Sequence, residues 1–162
     1  MTQPSVIHDT FAIERTYPAT LSQVFGAFAS QEAKNAWGDT GDLGSAEGEA
    51  AQTEFDFRTG GRERFGLIYK DTTYRYDALY YDIVPEQRII YSYEMYADDV
   101  RISVSVATIE FSKTDAGTVL TWTEQGAYLD GIDGPDAPRL RYGGTAEMLD
   151  GLDKYLASEP AS

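Results

Sequence analysis

Twelve tyrosines, seven phenylalanines and two tryptophans stand in a chain of 162 residues. A tyrosine joins an apolar ring to a polar tip, so several of them inside one fold need hydroxyl partners or water. On the strand alternation described below, Phe57, Phe65, Tyr76, Tyr80, Tyr91, Tyr93 and Trp122 share the inward face. Met148 and Leu152 look back at them from a helix, and Trp37 closes a short helix nearby. Such a set is suited to binding: the rings form apolar walls for a small hydrophobic or amphipathic molecule, and the hydroxyls orient it. An ordinary packed core is the competing account.

The groups able to do covalent chemistry are fewer. Arg64, Arg75, Arg101, Glu54, Asp77 and Glu94 lie within strands. Turned inward, a pair of them would form an acid–base couple; turned outward, they are a solvated face. His8 is the single histidine and has no companion that would make it a general base. Ser103 and Ser105 lack the glycine-flanked turn of a hydrolase nucleophile. No Lys-Ser/Thr follows Gly60-Gly61, which therefore reads as a hairpin turn and not a phosphate cradle. Asp39, Asp42, Glu47 and Glu49 do not have calcium-loop spacing. Without cysteine there is no disulfide or thiol chemistry, and one histidine leaves no set of ligands for zinc or haem. No catalytic residue, cofactor or metal is expected. Thirteen basic residues against 27 acidic ones give a net charge of −14, which disfavours nucleic acid and anionic membranes as partners. The first residues have no basic start followed by an apolar run, and no apolar stretch reaches bilayer length, so a soluble cytoplasmic protein is expected.

The elements that must position the aromatics are legible. Residues 8–16 alternate as a strand. Thr20 to Gln23 forms a capping box opening a helix over 21–29, and Ser30 caps a second over 31–37. Residues 38–52 carry glycines and acids without apolar period and read as a long loop. The period then changes to two, predicting strands at 54–58, 62–69, 72–84, 88–96, 101–113 and 118–128, joined by short turns and therefore antiparallel. One of them changes phase: Ile102, Val104 and Val106 occupy even positions, Ala107, Ile109 and Phe111 odd ones. Either a bulge sits near Val106, or the odd face looks inward throughout. In the second case Arg101, Ser103 and Ser105 line a partly polar cavity, and Ile102, Val104 and Val106 lie outside as a possible homodimer contact. Residues 126–138 read as a second flexible stretch. A final helix over 139–157 carries one apolar stripe, Thr145, Met148, Leu149, Leu152, Tyr155 and Leu156. Gly143-Gly144 near its start imply a kink, a frayed turn or a close backbone approach.

This order resembles the helix-grip superfamily of START domains and Bet v 1-like allergens (SRPBCC). More narrowly, it resembles the family named after the C-terminal domain of the activator of Hsp90 ATPase. The residues carrying the resemblance are Ala19 to Phe25, Trp37, Arg58-Thr59-Gly60-Gly61 with Arg64, Pro85 to Tyr91, Gly117 to Thr121, and Gly144 with Leu149, Leu152 and Leu156. The resemblance implies an α+β helix-grip fold: a curved antiparallel sheet of about seven strands around a long C-terminal helix, with two short helices after the first strand. One domain over 8–157 is expected, with loose termini at 1–7 and 158–162. The implied role is to hold a small apolar or amphipathic molecule between sheet and helix; the loop 38–52 and the glycine-rich segment 126–138 are expected to gate it. Two other roles stay open: an enzyme of cyclase, dehydratase or hydrolase type acting in the same cavity, and a chaperone-associated or stress-related interaction module.

Overall fold

A computed structural model describes residues 3–38 and 50–158. The element order is β1 (Val6–Tyr17), α1 (Leu21–Ala29), α2 (Gln31–Gly38), β2 (Ala50–Phe55), β3 (Arg62–Tyr69), β4 (Thr72–Val84), β5 (Arg88–Ala97), β6 (Val100–Thr114), β7 (Gly117–Leu129) and α3 (Ala137–Ser158). The strands form one antiparallel sheet in the order β1-β7-β6-β5-β4-β3-β2, the expected α+β helix-grip architecture. The first and last strands of the chain are neighbours, so only β1–β7 is a long-range pairing. Several boundaries differ from expectation. The second strand begins at Ala50, inside the segment expected to be a loop, and ends at Phe55; residues 39–49 lie outside the described part. The stretch expected to be flexible, 126–138, is strand to Leu129 and helix from Ala137. Nor is the start of the chain loose up to residue 7: β1 begins at Val6, and Ser5 and Asp130 exchange hydrogen bonds across the sheet end.

Register decides which side chains meet inside, because directly paired residues point to the same face. One inner row runs Phe65, Tyr76, Met95, Ser103, Tyr128, Ile7; the next runs Glu63, Ala78, Tyr93, Ser105, Gly126, Asp9. A third runs Tyr80, Tyr91, Ala107, Glu124, Phe11. The odd positions of β6 therefore face inward from Ser103 to Phe111, and no bulge occurs near Val106. The register slips instead between Met95 and Tyr96, opposite Ile102. That extra residue turns Ile102 inward, where it is 4% exposed, and returns Arg101 to the outer face beside Glu94. Val104 and Val106 remain outside.

The helices are fixed by caps and by anchors to β1. Thr20 and Gln23 make both bonds of the capping box that opens α1, and Ser30 Oγ accepts from the Ala33 amide in α2. α3 buries Thr145, Leu149, Leu152 and Leu156; its closest backbone neighbours are α2 and β1. The Tyr17 hydroxyl donates to the Leu149 carbonyl at 2.9 Å, and Arg15 pairs with Asp150 at 3.0 Å. Gly143 and Gly144 lie within an unbroken helix with no atom of another element within 4 Å of an added Cβ, so no backbone approaches them closely.

Gly117, the first residue of β7, has φ 130, and a Cβ there would clash with the Tyr17 carbonyl oxygen. Gly60 has φ 86 but open space around it. Gly60→Ala is expected to cost about 1 kcal/mol, the left-handed penalty alone. Gly117→Ala adds a backbone clash and is expected to cost about 3 kcal/mol. Urea unfolding of both variants checks this; equal losses would refute the steric account.

Candidate functional site

The inner wall over β3, β4 and β5 is aromatic. Tyr93 lies 5.0 Å from Tyr76 and 5.8 Å from Tyr91, ring centre to ring centre; Tyr80 touches both Tyr91 and Phe57. Tyr80, Tyr91 and Tyr93 are almost completely buried. Tyr76 and Phe65 keep some accessible surface even though they stand on the inner face. Burial raises the hydroxyls of Tyr76 and Tyr91 well above the usual tyrosine range, and neighbouring Tyr and Glu side chains add to it. Neither hydroxyl hydrogen-bonds to a described group.

Two charged clusters flank this wall. The first joins α3 to the sheet. Arg141 Nη1 donates to the Tyr93 hydroxyl at 2.8 Å and to Ser105 Oγ at 3.2 Å, and Nη2 donates to Ser103 Oγ at 2.8 Å. Tyr93 in turn donates to Glu124 Oε2 at 2.7 Å, and the Trp122 indole donates to Glu124 Oε1 at 3.2 Å. Both Glu124 oxygens accept a hydrogen bond, and the group lies 3.6 Å from Arg141 with 0% side-chain exposure. Burial works against the Arg141 charge, but Tyr93 and Glu124 outweigh it and hold the guanidinium above its ordinary range. The guanidinium also lies 5.3 Å from the Tyr93 and Tyr128 ring centres. Gly126 makes room here: a Cβ would meet the Tyr128 hydroxyl at 3.0 Å and Ser105 Oγ at 3.2 Å. In the second cluster, Lys34 of α2 donates to Glu63 Oε1 at 2.6 Å, and the Tyr80 hydroxyl donates to the same oxygen at 3.0 Å.

A sequence model described as activator of Hsp90 ATPase homolog 1-like protein matches residues 18–157. The chain belongs to this family. An uncharacterized protein from Rhizobium leguminosarum is 39% identical, with 98% of this chain and 100% of that one covered and a TM-score of 0.85. The Mll3558 protein of Rhizobium loti is 42% identical over 94% of this chain and 99% of that one, with a TM-score of 0.80. A Chromobacterium violaceum protein at 22% identity and TM-score 0.73, covering 93% of this chain and 99% of that one, shares the fold. None of the curated proteins matches the chain.

In this family member the predicted lining residues divide into three groups. Phe65, Tyr76, Tyr80, Tyr91 and Tyr93 are gathered on one wall by the register above, and Phe57, in the β2–β3 connection, joins it through its ring contact with Tyr80. Met148 is partly buried on α3 and packs against the core. Trp37, Trp122 and Leu152 are packed core: the Trp37 indole donates to the Ala27 carbonyl at 2.8 Å, Trp122 is tied to Glu124, and Leu152 is 0% exposed. The strand charges Arg64, Arg75, Glu54 and Asp77 form a network on the outer face, with Arg75–Asp77 at 3.2 Å and Arg75–Asp99 at 3.1 Å, and Glu94 pairs with Arg101 on the same face. His8 is exposed on the outside, beside an open depression of about 260 Å³ that includes Val104 and Val106. No helix among the described residues is long and apolar enough to cross a membrane.

Sequence reasoning missed Arg141, Glu124, Lys34 and Glu63. Two signals were present. Glu124 continues the inward alternation Leu120, Trp122, and Arg141 stands four residues before Thr145 on the buried stripe of α3.

Two outcomes follow from this burial. Arg141→Met is expected to cost about 3–5 kcal/mol, because it leaves Glu124 buried without its counter-ion. Combining it with Glu124→Gln should cost less than the sum of the single changes in a denaturation double-mutant cycle. The hydroxyls of Tyr17, Tyr76, Tyr80, Tyr91 and Tyr93 are all raised, chiefly by burial. Their stabilisation is intact below the unfolded tyrosine value of about 10 and declines as pH rises beyond it. An ultraviolet titration should show these tyrosinates forming only together with loss of near-ultraviolet circular dichroism.

Proposed function

We propose that this protein binds a small apolar or amphipathic molecule between the inner wall of β3–β5 and α3. The supporting observation is the pair Tyr76 and Tyr91. Both stand deep on the inner face, their hydroxyls meet no described partner, and Tyr76 keeps accessible surface there. Among the described residues Asp77 Oδ1 is the one fully enclosed polar side-chain atom left without a hydrogen-bond partner. The two hydroxyls are therefore open to water or to a ligand that reaches this wall. The apolar share of the wall comes from Phe57, Phe65, Met95 and Met148, all of them only partly buried. α3 supports the same reading, since it covers β1 and α2 more closely than the aromatic strands.

The test is native mass spectrometry of the protein from its own host, followed by uptake of the uncharged dye Nile red. A reproducible small-molecule mass is expected. Met148→Trp should lower dye affinity roughly tenfold by filling the space, while the exposed Glu147→Ala on the same helix leaves it unchanged. Equal behaviour of the two variants would refute the placement of the pocket.

A further inference from the structure

The Arg141 cluster holds more hydrogen-bond donors than acceptors. A guanidinium carries five N–H groups. Those of Arg141 that are engaged reach Tyr93, Ser105 and Ser103. Among the described residues, Nε and the second Nη2 hydrogen have no acceptor. Ser103 and Ser105 are buried and accept from Arg141. Their own hydroxyl hydrogens donate to no described group. Glu124, the acceptor of the cluster, already receives Tyr93 and Trp122. The charges of Arg141 and Glu124, 3.6 Å apart, cancel. The cluster is therefore rich in donors but carries no net charge.

We infer that this cluster takes an uncharged carbonyl oxygen (ketone, ester, amide or lactone) on an aromatic or apolar molecule whose body lies against Tyr76 and Tyr91. The inference rests on the binding role proposed above. A carbonyl oxygen has two lone pairs and can accept from an Arg141 N–H and a serine O–H together. Tyr93 links the two parts, since it touches Arg141 through its hydroxyl and Tyr76 and Tyr91 through its ring. A carboxylate fits less well. It would bring an unbalanced charge beside Glu124, out of water, in a chain of net charge −14.

The experiment compares three probes with one ring system: naphthalene, acetylnaphthalene and naphthoate. Calorimetry reads affinity, and the infrared carbonyl stretch of the bound ketone reads its hydrogen bonds. The ketone is expected to bind about tenfold more tightly than either other probe. Its stretch should lie below that of the ketone in an alkane. Ser103→Ala and Ser105→Ala should each narrow the ketone's advantage and leave naphthalene binding as it was. Glu124→Gln, checked by circular dichroism for an intact fold, removes the balancing charge and should raise naphthoate affinity. Naphthoate binding as tightly as the ketone in the unaltered protein would make this an anion site and overturn the inference. Ketone and naphthalene binding equally, with an alkane-like stretch, would overturn it while leaving the pocket standing. Binding of none of the three would remove the pocket and the inference together.

Discussion

A single helix is too narrow to cover this sheet. Seven strands at their usual spacing span roughly 29 Å, whereas a helix with its side chains is about 10–12 Å wide. The chain meets the mismatch in three ways. α3 lies towards the β1 side, α1 and α2 fill the space beside it, and over β4 and β5 the side chains themselves become large. Tyr76, Tyr80, Tyr91 and Tyr93 are what a wide concave face needs when the described residues supply no second long helix. Their polar tips follow from the same geometry, because a ring standing upright on a strand carries its hydroxyl to the middle of the fold.

Much of this architecture is legible in the order of the residues. Period-two alternation locates β3 and β4 at the residues where they occur, and the capping box and the apolar stripe locate α1 and α3. The errors are local. β2 is displaced because residues 50–53, Ala-Ala-Gln-Thr, carry no strong strand signal, and pairing with β3 supplies what propensity does not. Ile102 falls on the wrong face because a bulge is a property of two strands, and a pattern along one strand cannot say where its partner slips.

The candidate site is legible in its apolar half and hidden in its polar half. A charged residue read alone is assigned to the surface, and on the outer face that is right for Arg75 and Asp77. Arg141 and Glu124 break the rule together. Each is tolerable inside only because of the other and of Tyr93, Ser103, Ser105 and Trp122, which come from three separate strands. Only the tertiary arrangement reveals such mutual dependence. The cluster also ties α3 to β5, β6 and β7, which apolar contact could not do with the same directional specificity.

The adjacency of β1 and β7 has a consequence for synthesis. Tyr17 pairs with Thr118, so β1 leaves the ribosome on the order of a hundred residues before its partner exists. At about 5–20 residues per second this is a wait of roughly ten seconds. During that time one amphipathic strand, carrying Phe11, Ile13 and Tyr17, has no edge to join. The β2–β6 meander can form strand by strand as it emerges, but closing the sheet is necessarily among the last events. A nascent chain of this topology is therefore most vulnerable to aggregation at its oldest segment.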